Sequence, residues 1–133
     1  MIQDVPSSEW KRFFDDMSKS RIDWNTKIEI LNDSIGDQVL AERLPLSGIT
    51  YEGKKAAGCV EINVGFDEEN HQTHTVWNPE KVYYSCEGDA DPGVLEIVEL
   101  DGTKTMIHLL EPLPLSIRVA RSHSMARPLS RKL

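Results

Sequence analysis

At 133 residues, 39% of them hydrophobic, the chain holds enough apolar material for one core and too little for two comfortable ones. Its net charge of −7 is unevenly spread: residues 1–114 carry all 22 acidic residues against 10 basic ones, and residues 115–133 carry five basic residues and no acidic one, so a body near −12 is joined to a tail of +5. Such a body repels a phosphate backbone, and no run approaches the ~18 apolar residues that span a bilayer, so neither nucleic acid nor a membrane is expected as the main partner.

One α+β domain is expected over residues 1–114, followed by a basic tail, residues 115–133, that is mobile or docked on a partner. The N-terminal string Met1-Ile2-Gln3-Asp4-Val5-Pro6 has neither the basic start nor the apolar run of a secretion signal. Cys59 and Cys86, the only cysteines, lack the close spacing of a zinc site or a redox pair. Reduced thiols and a cytoplasmic location are the expectation.

Pro6-Ser7-Ser8-Glu9 reads as a helix start, with Ser7 or Ser8 offering an oxygen to free amides. Trp10, Phe13, Phe14 and Met17 then recur at i, i+3, i+4 and i+7, which predicts an amphipathic helix over residues 8–20 covering the protein's own sheet. From Trp24 the period changes to two: Thr26, Ile28 and Ile30 alternate with Asn25, Lys27 and Glu29, a half-buried strand. Turn residues around Gly36 allow residues 37–44 to return as a second strand, and Leu44-Pro45-Leu46-Ser47-Gly48-Ile49 reads as a bend or an edge strand, since proline cannot donate to a ladder.

After an exposed loop over residues 52–58, Val60, Ile62 and Val64 alternate with Cys59, Glu61 and Asn63, and a loop over residues 65–70 leads to a Thr-rich run over residues 73–77, which together read as a hairpin. Residues 81–86 form a further short strand. Two β-rich runs, residues 94–100 and 103–109, then flank Asp101-Gly102, a strong hairpin signal. A two-residue loop would put Val98, Leu100, Thr105 and Ile107 on one face. A Gly102 bulge after a type I turn would instead put Leu95, Ile97, Ile107 and Leu109 together, the cleaner stripe and the preferred register. Strands at this spacing behind one helix predict a curved antiparallel sheet, a roll or small partly open barrel, with the helix packed on it.

Several strings resemble a known family. Pro6 with Glu9-Trp10, Phe13 and Ser18, then Leu44-Pro45-Leu46-Ser47-Gly48-Ile49, His74 ahead of Asn78-Pro79, and Leu95-Glu96-Ile97 before Asp101-Gly102 are together similar to a family of short bacterial proteins known only as a domain of unknown function. The resemblance covers roughly residues 5–110. It implies a bacterial soluble protein with no established activity, cofactor or active site, so it assigns no functional residue.

His71-Gln72-Thr73-His74, preceded by Asp67, Glu68 and Glu69 and with His108 expected near it in space, is the best candidate for a divalent ion, because imidazole and carboxylate suit zinc or a similar metal. Residues three apart on a strand face opposite ways, so His71 and His74 converge only if His71 is still in the loop. Glu87, Asp89 and Asp91 alternate as calcium ligands do, but Pro92 and Val98 stand where an EF-hand loop needs Gly and Glu. A cysteine next to a histidine would make a nucleophile and base, and nothing local brings Cys59 to His74 or Cys86 to a histidine. No nucleophile elbow, phosphate-binding glycine loop, zinc-protease helix or dinucleotide fingerprint occurs.

Two functional readings follow. In the first the chain is a non-catalytic binding or regulatory module that engages another protein or a second copy of itself through a sheet face, an edge strand or the basic tail, with Trp77, Tyr83, Tyr84, Arg118 and Arg121 as the candidate contact residues and no cofactor. In the second it is a small metal-dependent or ligand-binding enzyme built on His71, His74 and His108.

Overall fold

The computed structural model describes residues 1–53, 58–88 and 91–117. Ser7–Glu9 form a short 3-10 turn and Trp10–Ser20 the helix α1. Around them run eight strands among the described residues: β1 (Ile2–Asp4), β2 (Trp24–Asn32), β3 (Gly36–Glu52), β4 (Cys59–Gly65), β5 (His71–Trp77), β6 (Pro79–Ser85), β7 (Val94–Glu99) and β8 (Lys104–Pro112). Every pairing is antiparallel, in the order β1-β6-β7-β8-β2-β3-β4-β5, and the sheet is open, with β1 and β5 at its margins. The fold is mainly β with one short N-terminal helix.

The apolar periods land where the two regular structures require. Phe14 is fully buried and Trp10 and Met17 nearly so, in one core with Ile28, Leu46, Ile49, Ile62, Leu95, Ile97 and Ile107, and Phe13 is half-buried against it. Helix and sheet are joined by rings as well: Trp10 meets Tyr51 edge-on with centroids 5.3 Å apart, and Phe13 lies 6.2 Å from Tyr84. The expected serine cap is absent. Neither Ser7 nor Ser8 caps α1; the chain enters through the 3-10 turn, where the Glu9 amide donates to the Pro6 carbonyl at 2.9 Å, so backbone takes the role given to a side chain.

Residues 44–49 do carry a bend, but inside a longer strand, and those of them that pair do so with a neighbouring strand on one side only. They lie inside β3, a 17-residue strand that pairs with β2 as far as Pro45 and with β4 from Leu46 onward. Pro45 falls where the strand changes partner, a position at which its missing N–H interrupts no ladder. Two irregularities flank it. Arg43, at φ 56°, is the extra residue between the pairs Thr26 with Leu44 and Lys27 with Glu42, and Ser47 is the extra residue between the pairs Leu46 with Val64 and Gly48 with Asn63. Such bulges bend a strand and increase its twist.

The hairpin of β7 and β8 adopts the second register. The Gly102 amide donates to the Glu99 carbonyl at 2.9 Å, the Glu99 amide donates to the Thr103 carbonyl at 2.8 Å, and Gly102 has φ 92°, a type I turn closed by a glycine bulge. Leu95 pairs with Ile107 and both are fully buried, with Ile97 and Leu109 on the same face. Asp101 Oδ1 accepts from the Thr103 amide at 2.9 Å, which holds its carboxyl below the usual range.

One polar contact fixes the helix on the sheet. The Ser18 hydroxyl donates to the Ile49 carbonyl at 2.8 Å and accepts from the Ile49 amide at the same distance, so a single side chain satisfies both backbone groups of a residue on β3. Ser18→Ala strands both, and a loss of about 1–3 kcal/mol is expected. Urea unfolding checks it: the unfolding free energy falls by that amount for Ser18→Ala and changes by less than about 0.5 kcal/mol for Ser20→Ala on the exposed side of the same helix. Equal free energies for the two variants would contradict the assignment.

Candidate functional site

The sheet divides the chemistry-bearing side chains between two faces. His71 is the first residue of β5, not part of the loop, so it and His74 point to opposite sides, as a period of two dictates. His71 is exposed. His74 turns inward, half-buried, with Nε2 3.5 Å from Thr105 Oγ1 on β8. His108 stands on the outer face of β8, Nε2 2.6 Å from Glu29 Oε1 on β2, an ion-pair contact that is not aligned as a hydrogen bond. The three imidazoles therefore do not converge. Among the described residues no three His, Cys, Asp or Glu side chains are grouped so as to hold a metal ion.

The acidic loops are committed to their own backbone. Asp67 Oδ1 accepts from the amides of Glu69 and Asn70 at 2.9 and 2.8 Å, and Asp91 accepts from the amides of Glu87 and Gly93 at 2.7 and 3.0 Å. Asp89 lies outside the described residues. Cys59 pairs with Trp77 and His74 with Ile62, positions three apart along the ladder and on opposite faces, so Cys59 and His74 make no nucleophile and base. Both thiols are free.

The three aromatics proposed for contact also separate. Tyr84 faces inward and donates its hydroxyl to the Pro92 carbonyl at 2.8 Å, a packing role beside Phe13. Trp77 is 62% exposed at the end of β5. Tyr83 faces outward from β6, and here the structure does bring residues together. Arg118 and Arg121 lie outside the described residues.

On the outer face of β1, β6, β7 and β8 an open groove of about 620 Å³ has an apolar floor of Ile2, Tyr83, Val94, Val98 and Met106, with Lys81, Glu96 and Lys104 among them. The register sets the pattern. Lys81, Val98 and Lys104 form one row across three strands, and Tyr83, Glu96 and Met106 form the next. The two lysines, two strands apart, are roughly 10 Å from each other with the valine between them. The sequence carries the signal for this floor. Val94, Leu95, Ile97 and Val98 are apolar on both faces of β7, as in a strand covered on both sides, whereas the outer side of β7 has no covering element among the described residues.

The chain is thus an open antiparallel sheet with a capped inner face and an apolar groove on its outer one. It belongs to the Family of unknown function (DUF5335), whose family profile matches residues 1–118, consistent with the strings that pointed to a family of this kind. An uncharacterised protein of the bacterium Aquifex aeolicus (strain VF5) is 28% identical over 111 residues, covering 84% of this chain and 94% of its own length. No solved structure matches. No helix among the described residues is long and apolar enough to cross a membrane.

Burial pushes the His74 imidazole below its ordinary range near 6.5. The folded state then binds fewer protons than the unfolded one, so its stability is full above about pH 6.5 and declines as pH falls through the lowered value. Stability curves between about pH 7.5 and 5.5 should show that decline, and His74→Gln should flatten it. An unchanged slope in the variant would place the effect elsewhere.

Proposed function

We propose that the chain is a non-catalytic binding module that takes an extended segment of a partner protein on the outer face of β6, β7 and β8. The carrying observation is the groove: a half-buried apolar floor beneath an open mouth, with charges set in rows at strand spacing. Val94, Val98 and Met106 supply area that is stabilising to cover, about 25 cal/mol for each Å² removed from water. Lys81 and Lys104 favour a partner that carries a carboxylate between apolar side chains, and Glu96 orients a basic group beside it. The enzyme reading draws no comparable support, because His74 faces inward while His71 and His108 face outward on strands four places apart in the sheet.

We infer also that the sheet is rolled as a partly open barrel. The approach of His74 on β5 to Thr105 on β8, with three strands between them in the sheet order, supports this, and the unpaired margins keep it open. Rolling closes the inner face around the core and leaves the outer face as the contact surface.

A photo-crosslinking side chain at Val98 in cells tests the reading, with Glu61 on the exposed side of β4 as the control position. A discrete protein adduct is expected at position 98, absent at 61, and lost when Met106→Asp is added. The same pattern at both positions would refute the groove as the contact surface.

A further inference from the structure

The free margin of β5 is a second surface, independent of the groove. β5 pairs with β4 along its whole length, from Gly65 opposite His71 to Cys59 opposite Trp77, and no described residue pairs with its other side. An edge strand presents a row of unpaired amides and carbonyls, and proteins blunt such edges with lysine, proline, bulges or shortness. The opposite margin is blunted. β1 is three residues long and ends at the charged Asp4. β5 has none of these protections. In a chain with 28% charged residues, its seven residues include no Asp, Glu, Lys, Arg, Pro or Gly.

We propose that β5 is a dimerisation edge, at which two copies of the chain join their sheets by antiparallel β5 to β5 pairing about a two-fold axis through His74. A two-fold interface must be self-complementary, and this strand is. With His74 on the axis, Thr73 lies opposite the partner's Thr75, Gln72 opposite the partner's Val76, and His71 opposite the partner's Trp77. Threonine pairs and aromatic pairs are among the favourable cross-strand combinations. His71, Thr73, Thr75 and Trp77 share one face, so the exposed indole at one end of each strand receives the imidazole at the other end of its partner. Charge selects the same edge. Two copies with net charge −7 repel, and the strand itself sets no carboxylate against its own copy.

Sedimentation of the full chain over a range of concentration tests this. The expected mass is twice 15.1 kDa at high concentration. Thr73→Lys combined with Thr75→Lys sets like charges opposite each other at two positions and should return the protein to a monomer with an unchanged circular dichroism spectrum. Met106→Asp in the groove should leave the dimer intact, so failure of one surface is distinguishable from failure of the other. A monomer at all concentrations, or a dimer that survives the paired lysines, would overturn the proposal. Should that variant fail to fold, hydrogen exchange on the unaltered protein decides: amides over residues 72–76 should exchange more slowly as concentration rises, and concentration-independent exchange there would overturn it equally.

Discussion

The contact between Ser18 and the backbone of Ile49 depends on a strand that belongs to both halves of the sheet, and the rest of the molecule depends on that strand. β3 hydrogen-bonds to β2 through its first half and to β4 through its second. Five of the six residues of Leu44-Pro45-Leu46-Ser47-Gly48-Ile49 have a part in the transfer. The Leu44 carbonyl accepts from the fully buried Thr26 hydroxyl at 2.7 Å, Pro45 stands where no donor is needed, and the Leu46 carbonyl accepts from the Asp23 amide at 2.9 Å. Ser47 is the bulge, and Ile49 receives the helix. An unbent strand of this length would leave β4 and β5 on a flat extension of the sheet with their apolar side uncovered.

From that bend follows the separation of roles between the two faces. The inner face is occupied by Val60, Ile62, Val64 and Val76 from one side of the transfer and by Leu95, Ile97 and Ile107 from the other, with Phe14 across them. Side chains with chemistry to offer are scattered around this core. His74 is drawn inward, where burial disfavours its charged form, and His108 is held outward by Glu29. A scaffold of this kind offers surfaces more readily than it offers a cleft. The outer groove and the bare edge of β5 are two such surfaces, and both are proposed as places where protein meets protein.

Local period carried much of the architecture in the sequence. The stripe of Trp10, Phe14 and Met17, the alternation through Ile28 and through Val60 to Val64, and the glycine bulge at Gly102 are all properties of short windows, and side-chain direction within a window follows from backbone geometry alone. What escaped a local reading was decided by partners far along the chain. Pro45 and Gly48 look like punctuation until β4 is known to take over the ladder. Ser18 is an ordinary polar position on a helix until Ile49, 31 residues away, is brought beside it. The edge strand β1 gave no periodic signal because three residues are too few to show one. His71 and His74 shared a motif in the sequence and not a site, since the strand began two residues earlier than its threonines suggested.

Native-state hydrogen exchange tests most directly whether β3 welds the two halves into one unit. If the transfer at residues 44–49 is the constraint on which the fold rests, the protected amides of β4 and those of β2 and β8 open only with global unfolding, at one common free energy that falls together as denaturant is added. Amides of β4 that open at a distinctly lower free energy, while β2 and β8 stay closed, would show two separable sheets and contradict the account.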